Sequence, residues 1–242
     1  MSVLPSTETK AGYVRDMFSR IAPRYDLLNH VLSLGIDILW RKAAARELDL
    51  ANARSVLDVC CGTGDLAIEL AKAVAPGTRM VGADFCWPML ERAAAKTRAG
   101  SSARTPHISW LQGDGLSLPF PTGAFDRVSV AFGVRNLADL DRGLAELARV
   151  LAPGGRLCIL EFARPRFAPF RAAYHAYFLH VLPFIGRMVS GESDPYKYLP
   201  ESVLAFPERE QLCEKLERAG FSAPRWSDLT LGIATLTVAT RR

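Results

Sequence analysis

Two rhythms of apolar and polar positions run along the chain. Between residues 54 and 162, short β-branched apolar runs alternate with stretches whose apolar residues recur every three or four positions. The short runs 55–60, 79–84, 108–112, 125–132 and 156–162 predict strands. Leu66, Ile68, Leu70 and Ala71 mark a helix stopped by Pro76-Gly77. Residues 89–98 read as a second helix opened by Pro88, and 140–151 as a third closed by Pro153-Gly154-Gly155. Apolar strands alternating with helices predict a doubly wound, mostly parallel α/β sheet covered on both faces. The tail departs from this rhythm. A helix over 208–219 capped by Gly220, then strand-like runs 224–229 and 233–240 split by Gly232, predict an antiparallel hairpin at the sheet edge.

Two segments fall outside the alternation. Residues 8–50 read as helical, with Tyr13, Met17, Phe18, Ile21, Leu27, Leu28, Val31 and Leu32 on recurring faces. Residues 164–206 are proline-interrupted and aromatic, carrying Phe167, Phe170, Tyr174, Tyr177, Phe178, Phe184, Tyr196 and Tyr198. They follow the fifth strand, where open α/β sheets place a ligand crevice. A Phe/Tyr stripe serves a core or an apolar ligand wall; this position suits a lid shared with the first helices. No linker interrupts the sequence. The expectation is one domain over 1–242: a helical cap at 8–50, a core at 54–162, a substrate-side insertion at 164–206, and a closing helix and hairpin at 208–242.

Composition narrows the function. With 49% hydrophobic and 23% charged residues, the 242-residue chain is neither disordered nor fibrous. Its net charge of +5 is spread out, and its densest basic cluster (Arg164, Arg166, Arg171) is too sparse for a nucleic-acid arm. So mild an excess also suits an anionic membrane surface. Cys60, Cys61, Cys86, Cys158 and Cys213 form neither a C-x-x-C pair nor a Cys/His metal cadence, so free thiols and no metal are expected. The longest uncharged run, 172–186, is too short for a membrane span and holds Pro183. The first ten residues lack the apolar core of a signal peptide. These features predict a cytoplasmic protein, at most touching the membrane from one side.

The strongest local motif is 58–67, Asp-Val-Cys-Cys-Gly-Thr-Gly-Asp-Leu-Ala. Gly62, Gly64 and Ala67 fit a dinucleotide fingerprint, with Asp84 twenty residues after Gly64. Charge argues for a different ligand. A pyrophosphate needs bare N–H groups at the helix start, whereas Asp58 and Asp65 would repel it. S-adenosylmethionine carries no phosphate; its sulfonium, ammonium and ribose diol suit acidic surroundings. Asp84 can accept both ribose hydroxyls, and Asp114, beside Gly115, the adenine amino group. The alternative is structural: Asp65 caps its helix, Asp58 pins the turn, and Asp84 is a solvated loop acid.

The motif resembles that of class I methyltransferases, and further segments resemble the ubiquinone/menaquinone biosynthesis C-methyltransferase family. Similar stretches are 18–30 (Phe-Ser-Arg-Ile-Ala-Pro-Arg-Tyr-Asp-Leu-Leu-Asn-His), Ser33-Leu34-Gly35 through Trp40-Arg41, and Phe132-Gly133-Val134-Arg135-Asn136. Residues 149–155 through 160–162, and the Asp194-x-Tyr196-x-Tyr198-Leu199-x-Glu201-Ser202 motif, extend the likeness over about 12–240. Cofactor contacts implied by the resemblance fall on Thr63, Asp84, Asp114 and Gly115. Two positions depart from the family pattern. Ala131 stands where some members have serine, and Cys60-Cys61 where small residues are usual.

The implied reaction is ring-carbon methylation of a polyprenyl hydroquinone, demethylmenaquinol to menaquinol or its ubiquinone-pathway equivalent, with transient contact with the inner membrane face. Methylation of another small aromatic or lipid is the alternative. Removing a hydroxyl proton gives a phenolate that needs a donor or cation nearby. Arg135 is assigned to stabilising that oxygen and Asn136 to orienting it. The base is a water held by Asp84 or Asp114, or a histidine such as His180. Structurally, Arg135 could instead pair with Asp139 or Asp141, and Asn136 cap the next helix. Tyr25, Asp26 and Asn29 are expected to hold the first helices over the cofactor.

Overall fold

The computed structural model describes residues 4–100, 107–177 and 194–242. Three helices come first: α1 (Thr7–Ile21), α2 (Tyr25–Leu32) and α3 (Ile36–Glu47). The alternating core follows as β1 (Ser55–Val59), α4 (Asp65–Ala71), β2 (Arg79–Asp84), α5 (Trp87–Gly100), β3 (Ile108–Gln112), β4 (Phe125–Ala131), α6 (Leu140–Val150) and β5 (Leu151–Phe162). Helices α7 (Ala168–Ala176) and α8 (Asp194–Ala205) come from the predicted insertion. Helix α9 (Arg209–Arg218) and strands β6 (Phe221–Leu229) and β7 (Ala234–Arg241) complete the chain. Phe178, His180 and Phe184 lie outside the described residues.

The sheet has seven strands in the order β3-β2-β1-β4-β5-β7-β6. Strands β1 to β5 pair in parallel; β7 runs antiparallel to both β5 and β6. The predicted hairpin is present, with its second strand inserted against β5 and its first left at the edge. Strand β5 begins earlier than its apolar run suggests, because Leu151 pairs with Phe125 before the chain bulges through Gly154 (φ 74°) and resumes pairing at Arg156 opposite Arg127. Where a helix starts sharply, a side chain explains it: the Asp139 carboxylate accepts from Arg142 N at 3.0 Å and caps α6.

Adjacent strand residues feed opposite faces. Leu57 joins Phe125, Val128, Leu144, Leu147 and Leu216 on one side, whereas Val56 joins Leu48, Leu66, Leu70, Met80 and Leu236 on the other. A separate apolar layer covers the carboxyl ends of the strands. There Leu28 packs with Tyr174 and Val203, and Val14 and Met17 pack with Tyr198, so α1 and α2 meet α7 and α8. Among the described aromatics of the insertion, Phe167 departs from the rest: it is 66% exposed and lines neither that layer nor its cavity. The strand order reverses between β1 and β4, which opens a crevice beyond their carboxyl ends.

Candidate functional site

The β1–α4 turn bends back through three left-handed residues, Cys60 (φ 54°), Gly62 (φ 54°) and Gly64 (φ 82°). The two glycines serve different ends. A Cβ on Gly62 would meet only Tyr25 Cε1, at 3.9 Å, so this residue faces open space. A Cβ on Gly64 would sit 2.5 Å from the Trp110 ring, so Gly64 is there for packing. A small cavity opens at the turn, lined by Tyr25, Arg41, Asp58, Cys60, Cys61, Gly62, Thr63, Asp65, Leu66, Ala131 and Phe132.

Asp58 sits at the floor of this cavity, 1% exposed. Ser129 Oγ donates to its Oδ1 at 2.6 Å, while its buried Oδ2 has no hydrogen-bond partner among the described residues. Burial pushes the Asp58 carboxyl up to about 7, further than the Ser129 hydroxyl and the nearby Ala67 backbone amide pull it down. An orphaned carboxylate oxygen facing a cavity suits a cationic ligand group. Asp84, the last residue of β2, accepts from Gly62 N and Cys86 N, each at 2.8 Å, and burial pushes it up to about 6. It is thus a buried clamp on the glycine turn rather than a solvated acid, and each oxygen keeps a lone pair for a ligand hydroxyl. Gly113 N donates to Asp84 O at 3.0 Å and joins the neighbouring loop to it. Asp114 is exposed and accepts from Leu116 N at 2.9 Å; Gly115 is buried near Leu137.

Asp65 is not the bare acid its sequence position suggests. Lys96 Nζ lies 2.5 Å and Arg41 Nη2 3.5 Å from its carboxylate, so its charge is largely offset. Lys96 also pairs with Asp26 at 2.9 Å, and Asp26 accepts from the Thr63 hydroxyl at 2.5 Å. The expected hold of α2 over the turn therefore comes through Asp26. Tertiary packing supplied cations that no local spacing revealed.

A second cavity of about 390 Å³ lies under α1–α3, α7 and α8. Met17, Phe18, Ile21, Leu28, Leu32, Trp40, Phe132, Phe162, Phe170 and Tyr174 make most of its wall. Asn29, Ser33, Asp37, Arg41 and Arg135 supply polar points. Tyr25, Arg41 and Phe132 line both cavities. Neither Asp84 nor Asp114 lines the larger one.

Arg135 follows β4 in a short 3-10 turn, with its side chain almost fully buried. Its Nη1 donates to Glu161 Oε1 at 2.7 Å and to Phe132 O, and its Nε to Ser202 Oγ at 3.3 Å. Nη2 has no hydrogen-bond partner among the described residues. The pairing is thus with Glu161 rather than Asp139 or Asp141, which engage Arg142 N and Lys215. Asn136 caps no helix. Its amide donates to Phe132 O at 3.2 Å and its Oδ1 accepts from Tyr198 OH at 3.1 Å, behind the larger cavity's wall. Burial lifts the Tyr198 phenol to about 12, so it stays a proton donor.

Sequence reasoning gave no role to Glu161 or Asp37. Glu161 is 1% exposed inside the otherwise apolar run 157–162, and a carboxylate in such a run needs a cation. That mismatch was the available signal. Asp37 accepts from Ser33 Oγ (2.7 Å) and Arg41 and sits 2.9 Å from His30 Nδ1. Burial alone would raise its pKa; the Ser33 and Arg41 hydrogen bonds, the Arg41 charge and the His30 contact outweigh it and hold the carboxyl below its usual value. Among the described residues no cluster of His, Cys, Asp and Glu could hold a metal ion.

Known proteins share this architecture. The ubiE/COQ5 methyltransferase family profile matches residues 6–241. A demethylmenaquinone methyltransferase of Deinococcus radiodurans is 52% identical over 235 residues, covering 97% of this chain and 95% of that protein. One of Thermus thermophilus is 51% identical, covering 93% and 100%. Among solved structures, a SAM-dependent methyltransferase from Thermotoga maritima superposes with a TM-score of 0.65 at 20% identity, over 94% of this chain and 99% of that one, a likeness of fold.

Proposed function

The chain belongs to the ubiE/COQ5 methyltransferase family, and from that premise we propose that it methylates a ring carbon of a polyprenyl hydroquinone, converting demethylmenaquinol to menaquinol. The observation that carries this reading is the shared wall. A cavity at the glycine turn and an apolar cavity of about 390 Å³ have Tyr25, Arg41 and Phe132 in common, so a donor in one faces an acceptor in the other. Both relatives above bear the demethylmenaquinone name, which favours that branch over the ubiquinone one. S-adenosylmethionine, the proposed methyl donor, supplies an electrophilic methyl on a sulfonium. For its ammonium the chain offers Asp58 Oδ2, and for its ribose diol the remaining lone pairs of Asp84, with Gly62 giving close approach; Thr63, Asp114 and Gly115 complete the proposed contacts. A pyrophosphate would face Asp58 and gain nothing in exchange.

In the larger cavity, the aromatic wall excludes water and holds the ring flat, which aligns the carbon with the donor. Arg135 directs Nη2 at the oxygen that becomes phenolate, and Glu161 fixes the guanidinium by its other edge. Arg135 stays charged throughout and so stabilises the anion without accepting the proton. Asn136 acts through Tyr198. The test is a methyl-transfer assay with a short-tailed demethylmenaquinol, read by mass, on wild type and Arg135→Gln. Turnover should fall at least about a hundredfold, the scale for losing one preorganised donor to an oxyanion, while S-adenosylhomocysteine still raises the melting temperature. Near-normal turnover would remove the Arg135 mechanism; no turnover by the wild type would remove the substrate.

A further inference from the structure

Leu34 and Leu231 share an unusual condition. Each has a left-handed backbone (φ 52° and 58°), a region that disfavours leucine, and each holds its side chain out, 86% and 68% exposed. Turn closure accounts for the backbone, with Gly35 N donating to His30 O at 2.8 Å and Ile233 N to Thr230 O at 3.2 Å, but not for leucine at either place, since no apolar surface is buried there. Both sit at the rim of the larger cavity. Leu34 lines it directly, and Leu231 lies between Thr230 and Ile233, which also line it; Trp40 Nε1 donates to Thr230 Oγ1 at 2.9 Å and joins the second loop to α3.

The helices beside Leu34 extend the pattern. From position 24 to 46, the exposed residues are Arg24, Leu27, Val31, Leu34, Ile38, Leu39, Lys42 and Arg46. Every one is aliphatic or basic. The two acids of the stretch turn inward, Asp26 to Lys96 and Asp37 to Arg41. A solvated face would mix both signs of charge, and a contact between two proteins would use neutral polar groups as well. Leucine tips flanked by cations match a bilayer bearing anionic headgroups.

We infer that the α2–α3 face and the Thr230–Gly232 turn dock on an anionic membrane surface, with Leu34 and Leu231 inserted, so that a prenyl tail passes from the bilayer into the cavity without crossing water. The occupant rests on the proposed quinol substrate; the docking face rests on the exposed pattern alone. Sedimentation with phosphatidylglycerol-containing vesicles against pure phosphatidylcholine tests it, using wild type, Lys42→Gln/Arg46→Gln and Leu39→Ser/Leu231→Gly. None of these residues lines the cavity, and glycine suits the left-handed backbone at 231.

Wild type should bind the anionic vesicles and lose them as salt rises. Removing two cations should weaken binding roughly 25-fold, at a factor of about five each. The leucine variant should lose binding while keeping its melting temperature and its turnover of a detergent-dispersed short-tailed quinol. Wild type that ignores anionic vesicles, variants that bind as wild type does, or a wild-type dimer that the leucine variant dissociates would each overturn the docking face. If wild type binds vesicles yet methylates no quinol, docking stands and the substrate reading falls.

Discussion

Asp58 is the residue at which the ligand chemistry and the stability of the fold pull in opposite directions. In the ligand-free protein, burial raises its carboxyl from 3.8 to about 7. The unfolded chain ionises it near 3.8, so folding is increasingly penalised as pH rises from about 4 to 7, and the penalty is complete above that. About three pH units at roughly 1.4 kcal/mol each give a ceiling of about 4 kcal/mol. Asp58→Asn removes that penalty and retains a partner for Ser129. At pH 8, the variant should therefore melt several degrees above wild type, since about 1 kcal/mol moves a chain of this length by roughly 2–4 °C. At pH 4.5, where the folded carboxyl is protonated and only the unfolded one ionises, the gain should shrink to about 1 kcal/mol. Ligand binding should show the opposite preference. A cationic ammonium needs the ionised carboxylate, so wild-type affinity for S-adenosylhomocysteine should fall up to about tenfold per pH unit below 7. Asp58→Asn should bind about 10- to 100-fold more weakly, the scale for losing a charged hydrogen bond. Differential scanning fluorimetry at both pH values, with and without S-adenosylhomocysteine, reads all of these. A variant that is destabilised equally at both pH values, or stabilised by the ligand as strongly as wild type, would refute the assignment.

Three further outcomes follow from packing and charge. Gly64→Ala should cost at least about 2 kcal/mol by denaturant titration, because φ 82° disfavours alanine and the new Cβ would meet a Trp110 ring anchored to Thr97 at 3.2 Å. Glu161→Leu alone should cost about 3–5 kcal/mol by leaving the Arg135 charge buried and unpaired, whereas Glu161→Leu/Arg135→Leu should recover much of that stability and remain inactive. S-adenosylhomocysteine should raise the melting temperature of wild type and NAD should not, a comparison that tests the exclusion of diphosphates directly.

Some of this protein was legible in its sequence, for local physical reasons. Period-two and period-3.6 patterning set β1 to β5 and α4 to α6 within a few residues, because each is a local solution to burying an apolar face. The left-handed glycine turn was readable too, since its steric demand is carried by Gly62 and Gly64 themselves. Residue types at the strand ends already pointed away from a phosphate ligand. Tertiary structure decided which charges remain available. Lys96 and Arg41, distant in sequence, largely offset Asp65, while Asp58 keeps an oxygen without a partner. Only the fold brought Glu161 to Arg135 across 26 residues, and placed two strained leucines on one rim from opposite ends of the chain. Electrostatics and burial depend on proximity in space, and spacing along a chain does not record it.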